Sequence, residues 1–429
     1  MTGSARIAAV DLNGQLRGKR VPVEKLGKPA GMPLSALNVD IFGHDIDDSP
    51  LVFASGDADG TLLPVEREVI PLPWLEGAPP LQLSQMYLSD GQPFAGDPRQ
   101  ALRAVLDRYA ARGWTPHCAV ELEFYLVEKD GNLAAPIDPK TGRRAFAPQV
   151  LGLRHLDGFE AFFNEVEHGA AAMGIAPATV TSESGLGQFE VTLDHRPAME
   201  AADDALLMKE LIKGIAPHHG FSATFLAKPF SDDAGNGLHI HASVLDHAGR
   251  NTFDDGTDVG TDLLRHAVAG VLAAMPASTV FFAPHLMSYG RFVENAHAPT
   301  AAAWGYDNRT VALRIPAGAP KARRLEHRVA GGDANPYLLF AAVLGAALMG
   351  IEDGKDPPPP ISGNAYGQSA PQLATSLEAA IAALDAPILR RIFFAAELLD
   401  NLARMKRQDR AKCAQMSDTD LLLALLETV

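Results

Sequence analysis

The sequence predicts a mixed helix-and-strand protein with a β-rich front end, on three observations. Residues 1–95 show alternation and turn signals but no helical periodicity. From residue 96 onward, long amphipathic stretches alternate with strands. Four of those strands place charged or imidazole groups on one face and apolar groups on the other.

Taken in order, residues 6–12 form an apolar strand, and Asn13-Gly14 is a hairpin signal leading into a second strand at 16–21. Aspartates and glycines crowd 40–60, and residues 71–74 close this part. A helix is predicted to begin at Asp97-Pro98, with Asp97 as N-cap and proline in the first turn, and to run to Gly113. The strand at 118–127 carries Glu121 and Glu123 on one face. The next helix, with Asp157 as its expected N-cap, runs to Met173. In 182–193, Gln188, Glu190 and Thr192 face one way, and Phe189, Val191 and Leu193 the other. Another helix spans 197–215. The stretch from Lys228 to Ser243 is then a loop feeding a strand. Gly235 and Gly237 let a backbone approach a ligand closely, and His239, His241 and Ser243 share a face. A helix is expected near 260–275, followed by strands at 310–315 and 323–329. The second of these puts Arg324, Glu326 and Arg328 on one face. The rest is predicted helical, apart from a surface loop at Pro357 to Pro360.

A chain of 429 residues has room for two domains with ample core. Apolar content of 47% with 21% charged residues belongs to a soluble globular protein. The net charge of −15 argues against a nucleic-acid partner, whose footprint would be basic. Two cysteines, Cys118 and Cys413, exclude a disulfide framework and a cysteine-based zinc site, and fit a reducing compartment. The N-terminal residues lack a secretory pattern, and the longest apolar run, 337–351, is too short to span a bilayer. A cytoplasmic protein with no membrane partner is expected.

The polar faces are not the mixed Lys/Glu/Thr surface of a solvated sheet. They carry Glu121, Glu123, Glu190, Glu326 and His239, joined by Glu183 in a Ser-Glu-Ser-Gly turn. Like charges gathered on one surface destabilise a fold unless a cation compensates them. Glutamate oxygens with one imidazole suit Mg²⁺ or Mn²⁺ rather than structural zinc. Arg291, Arg309, Arg314, Arg324 and Arg328 fall in one third of the chain, and guanidinium forks bind carboxylate and phosphate. A metal cluster beside an arginine cluster is what phosphoryl transfer needs; ion pairs that only hold the fold are the competing account. No Walker A motif is present, and Gly185-Leu186-Gly187 is not a dinucleotide fingerprint because no helix follows it directly.

These residues resemble the glutamine synthetase family over nearly the whole chain, in five segments that keep the family's order. Glu121-Leu-Glu123-Phe-Tyr-Leu is similar to its Glu-x-Glu strand, and Glu183-Ser-Gly-Leu-Gly-Gln-Phe-Glu190 to its Glu…Gly-Gln-x-Glu segment. Lys228-Pro…Gly-Asn-Gly-Leu-His239-Ile-His241-Ala-Ser243 is similar to its ATP-region signature. Trp304-Gly-Tyr-Asp-Asn-Arg309-Thr-Val-Ala-Leu-Arg314-Ile-Pro and Lys321-Ala-Arg-Arg324-Leu-Glu326-His-Arg328 complete the set.

The resemblance implies an α+β fold: a small N-terminal β-grasp domain (1–95) and a larger catalytic domain (96–429) with a curved antiparallel sheet backed by helices. It implies active sites between neighbouring subunits of a homo-oligomeric ring, usually a dodecamer. Two or more Mg²⁺ or Mn²⁺ ions per site are implied, one on Glu123, Glu183 and Glu190, the other on Glu121, His239 and Glu326. Gly235, Arg291 and Arg328 would hold glutamate. His241, Ser243, Arg314, Lys321 and Arg324 would serve ATP, and Arg309 and His297 would be the catalytic groups. The implied reaction phosphorylates the γ-carboxylate of glutamate with ATP, after which an amine displaces phosphate to form an amide.

Departures from the family pattern point to the acceptor. Ammonia-using members carry a Glu before Ala-Pro in a flap over the site, where this chain has His297 before Ala298-Pro299. Their Asp-Gly-Ser-Ser turn is replaced here by Asn38-Val-Asp40-Ile-Phe-Gly43, with Asp40 as a candidate counterpart. Ala234 stands where many members have Asn, and the flanks of Tyr366 differ from the loop adenylylated in some bacterial enzymes. The closer resemblance is therefore to the γ-glutamylpolyamine and γ-glutamylamide synthetase branch, whose acceptor is an organic amine. An ordinary ammonia-using glutamine synthetase and a catalytically inactive structural ring are the alternatives. Retention of all six metal-ligand positions weighs against the second.

Overall fold

Alternating strands build two large sheets and one two-stranded pair, and the helices supply most of the core. The computed structural model describes residues 3–429 except 130–132, 295, 297 and 393, and the side chain of 427. The first sheet comprises β1 (Ser4–Val10), β2 (Leu16–Pro22), β3 (Ala30–Pro33), β4 (Asp59–Pro64), β5 (Ile70–Pro71) and β6 (Pro80–Tyr87). Their order is β2-β1-β6-β4-β3, with β5 also on β6 and with β1 and β6 parallel. The Asn13-Gly14 signal is a hairpin turn, as expected, with Gly14 at φ +81°. Among the described residues no α-helix precedes residue 98. Period-two alternation splits β1 between two cores: Ile7 and Ala9 pack with Met32, Leu62, Met86 and Phe94, while Ala8 and Val10 join the main core.

The second sheet carries the charged faces. It contains β7 (Thr115–Glu128), then, after the small pair β8 (Ile137–Asp138) and β9 (Arg143–Arg144), β10 (Pro177–Ser182), β11 (Gln188–Pro197), β12 (Phe221–Thr224), β13 (Leu238–Leu245), β14 (Trp304–Tyr306), β15 (Leu313–Ile315) and β16 (Leu325–His327). The order is β10-β11-β7-β13-β16-β15-β14, antiparallel except for β14 on β15. The apolar faces of these strands are fully covered: Val120, Leu122, Phe124, Leu238 and Ile240 are all 0% exposed and share one core with Leu207 and Leu211 of the helix Ala198–Ile215.

Asp97 caps the helix Pro98–Ala110, accepting from Arg99 N at 2.8 Å, and its other oxygen accepts from Met86 N at 2.7 Å. Asp157 does not cap. It lies inside a short helix, Leu153–Gly158, and the long helix Glu160–Ala172 starts after Phe159 with no side-chain cap. The Phe159 ring, buried at 5.1 Å from that of Phe189, holds the start instead. The helix Pro336–Asp353 is long and apolar enough to cross a membrane by composition, but 83% of it is buried inside the fold. Its cap, Asn335, accepts from Tyr337 N at 3.0 Å and donates to Asp11 O at 3.0 Å, tying the first hairpin to the start of this helix.

Candidate active site

Strand registers bring the charged residues together. Glu190 on β11 stands opposite Glu123 on β7, and Glu121 stands between Thr192 and His239 on its two neighbours. One strand further, His241 pairs with Glu326, and Glu326 with Arg314. Because side chains at opposed positions share a face, one surface of the sheet becomes a continuous row of carboxylates and imidazoles edged by guanidinium groups. Among the described residues two groups of ligand-type atoms gather within 4.8 Å: Glu121, His239 and Glu326, and Glu123, Glu190 and His239. The first is the expected trio. The second holds Glu123 and Glu190 together but takes His239 in place of Glu183, which sits in the turn between β10 and β11 with its carboxylate accepting from Thr181 Oγ1 at 3.3 Å.

Burial and mutual repulsion shift the carboxyls of this face strongly. Burial, then the charges of Glu121, Glu123 and Glu183, push the Glu190 carboxyl up to about 9. Burial and the Glu123 charge push Glu183 to about 7. Glu121 runs the other way. Burial alone would raise it, but hydrogen bonds at 2.8 Å from His239 Nδ1 and His241 Nε2 hold it well below the carboxylate range. Arg324 Nε donates to His241 Nδ1 at 3.1 Å, so that nitrogen carries no proton and the Nε2–H is the one given to Glu121.

Glu326, fully buried, has its carboxyl held below the ordinary glutamate value by the Arg328 guanidinium and the His239 ring, against the cost of burial. It accepts from Arg314 Nη1 at 2.9 Å and from Arg328 Nη1, while Arg314 Nη2 reaches Asp307 at 2.7 Å. Arg291, buried, donates to Val329 O at 2.6 Å. Arg309 is exposed on the turn after β14, near enough for its charge to act on Glu183. Lys321 is exposed on the turn Pro320–Ala322, and Ser243 is half-buried opposite His117.

Several residues of this site carry no charge signal and were not singled out from the sequence as ligands. A Cβ on Gly237 would lie 2.8 Å from Arg291 Nη2, 2.9 Å from His239 Nε2 and 3.2 Å from Glu123 Oε2, so any side chain there would displace these polar tips. Its amide donates to Glu123 Oε2 at 2.5 Å. The loop that carries Gly235 is held by Tyr125, whose hydroxyl donates to Ala234 O at 2.8 Å, and by Gln188, whose amide donates to Gly235 O at 3.0 Å. The repeated glycines of Gly-Asn-Gly were the only sequence hint of this crowding.

Asp40 is fully buried and turned into its own chain. Its carboxylate accepts from Phe42 N, His44 N, Gln408 Nε2 and Lys412 Nζ, fastening the loop after β3 to the helix Ala396–Cys413. His297 lies outside the described residues. The neighbouring Ala298 carbonyl accepts from the Tyr366 hydroxyl at 3.1 Å, and Tyr366 is near enough to Arg291 and Arg328 to feel their charges.

The family model for the glutamine synthetase catalytic domain matches residues 95–421. Over 359 residues the chain is 38% identical to gamma-glutamylputrescine synthetase PuuA of Escherichia coli K12, covering 81% of this chain and 75% of that one. Over 416 residues it is 33% identical to glutamate–isopropylamine ligase of a Pseudomonas species, covering 94% and 90%. A solved structure of a GmaS–ADP complex superposes with a TM-score of 0.84 at 30% identity, over 96% of this chain and 94% of that one. With two acid-and-imidazole groups on one sheet face, an arginine edge beside them and these matches along the chain, the protein belongs to the glutamine synthetase family.

Proposed function

We propose that this protein is an ATP-dependent ligase that joins the γ-carboxylate of glutamate to an organic amine through a γ-glutamyl phosphate. The observation that carries the phosphoryl-transfer half is the row of Glu121, Glu123, Glu190, His239 and Glu326 on one sheet face, edged by arginines. The organic acceptor is supported by the two relatives, named for putrescine and isopropylamine, and by His297 at the flap position.

Carboxylates that raise one another's pKa, with an imidazole among them, fit a pair of Mg²⁺ or Mn²⁺ ions. Glu121, His239 and Glu326 would hold one, and Glu123 and Glu190, with Glu183 or His239, the other. When bound, such ions neutralise the phosphate oxygens of ATP. Arg291 and Arg328, with the Gly235 backbone, orient glutamate so that a γ-carboxylate oxygen attacks the terminal phosphorus and ADP leaves. His241, Ser243, Arg314, Lys321 and Arg324 hold ATP, and Arg309 steadies the transferring group. The neutral amine then attacks the acyl carbon, inorganic phosphate departs, and His297 accepts the proton released from the nitrogen. Residues 1–95 form a β-grasp domain ahead of a catalytic domain at 96–429, whose curved antiparallel sheet is backed by helices. The enzyme works in the cytoplasm as a homo-oligomeric ring, a dodecamer, with its sites between neighbours.

The deciding experiment is glutamate-dependent ADP release with a panel of amines. A primary alkylamine or polyamine is expected to outperform ammonia, and His297→Glu to shift preference toward ammonia, because an anion returns to the pocket. Ammonia outperforming every organic amine would restore ordinary glutamine synthesis. Metal itself is expected to raise the melting temperature, as a ligand of the native state must, and unchanged melting in excess Mg²⁺ and Mn²⁺ would remove the metal site.

A further inference from the structure

Directly behind the groups assigned to glutamate lies a buried polar cluster that the reaction does not use. Asp333, 1% exposed, accepts from Ser288 Oγ at 2.5 Å. Ser288 stands in the turn Leu286–Arg291, and its Oγ also accepts from His285 N at 3.0 Å. The Ala227 amide lies against the same carboxylate, and Ala227 O accepts from Asn236 N at 2.9 Å, closing the base of the loop that carries Gly235. Lys209 reaches in from the helix Ala198–Ile215 and donates to Gly332 O at 2.8 Å, while Gly332 N donates to Asn236 O at 3.0 Å. One carboxylate therefore touches both elements that present glutamate-binding groups, and Lys209 braces the same loop from behind.

The arrangement is electrically expensive. Burial raises the Asp333 carboxyl and draws the Lys209 ammonium down to about 8. Asp333 Oδ1 has no hydrogen bond among the described residues, and the charges of Lys209 and Arg291 are what offset it. If fold stability were the only need, an apolar cluster of the same volume would serve as well. Arg291 is the link to function. Its guanidinium presses on Gly237, its side chain would collide with a Cβ on Gly235, and its charge is matched by Glu123 and Asp333.

We propose that Asp333, with Ser288 and Lys209, is a positioning residue for the acid substrate, fixing Arg291 and the Gly235 backbone at the separation that glutamate requires. This rests on the reading that Arg291 and Gly235 bind glutamate. Asp333→Asn keeps shape and removes charge. It is expected to raise the glutamate KM by roughly 10- to 100-fold, the scale of a lost charged hydrogen bond, with the ATP KM unchanged. Ser288→Ala should move the glutamate KM the same way by less, and it keeps the idea testable if Asp333→Asn does not fold. A glutamate KM that stays put in every folded variant, or an ATP KM that rises in parallel, overturns the assignment. Arg291→Ala separates the two levels: if it too leaves glutamate KM alone, the underlying site reading fails. If Arg291→Ala raises it and neither Asp333→Asn nor Ser288→Ala does, only the positioning role fails.

Discussion

Glu190→Gln is expected to give a protein that melts higher than wild type without metal yet transfers no phosphate. Glu190 faces Glu123 across adjacent strands, and burial plus three neighbouring carboxylates push its carboxyl up to about 9. Unfolded, it titrates near the ordinary glutamate value. A group whose folded pKa is raised contributes stability that is complete below the unfolded pKa and is lost as pH climbs through the folded one. Metal-free wild type should therefore weaken between about pH 4.5 and about pH 9, with Glu190 costing on the order of 1–3 kcal/mol near pH 8 once its remaining hydration is allowed for. Glutamine keeps the volume and removes that cost. Melting curves in chelator should show the variant's advantage growing with pH, and added Mg²⁺ should reverse the order because wild type gains an ion at Glu123 and Glu190 that the variant does not. Wild-type ATP turnover by the variant, or identical metal-free melting at pH near 8, would sink the assignment of Glu190.

Arg328→Ala should cost glutamate recognition with every amine tested. Arg328 is 5% exposed and its Nη1 donates to Glu326, so under the proposed role truncation removes the glutamate's guanidinium partner as well as a donor to a buried carboxylate. The loss in kcat/KM for glutamate should be about 2–5 kcal/mol, with a lower melting temperature alongside. Arg328→Lys should recover the charge but not the fork, so only part of the loss returns. Glu326→Ala is a different lesion. It takes the carboxylate from Arg328 and leaves Arg314 only Asp307, both arginines being buried or nearly so, and should destabilise the fold by about 3–5 kcal/mol besides ending turnover. Steady-state kinetics with glutamate varied against several amines decides the matter. An Arg328→Ala enzyme with normal glutamate KM and altered amine preference would place this arginine on the acceptor side.

The faces of the strands were legible because period two is set by covalent geometry. Glu121 with Glu123, His239 with His241, and Arg324 with Glu326 and Arg328 had to share sides wherever those segments were extended. The caps at Asp97 and the hairpin at Asn13-Gly14 were legible for the same local reason, a short polar side chain or a glycine satisfying its own turn.

What spacing could not supply was register and neighbourhood. The placing of β13 beside β7 puts His239 in both ligand groups and leaves Glu183 in a turn outside them, and that depends on pairing between residues more than 100 positions apart. Burial overrode local preference at Asp157, where the Phe159 ring starts the helix that a cap was expected to start. It also turned Asp40 inward onto Gln408 and Lys412, because a buried carboxylate is stable only where donors from distant segments converge on it. Gly237 was marked in the sequence only as a glycine that lets a backbone approach closely, and Asp333 had no signal of its own. One matters through the space it leaves between Arg291, His239 and Glu123, the other through a charge with meaning only beside Ser288 and Lys209, and both are properties of packing that no single strand or loop contains.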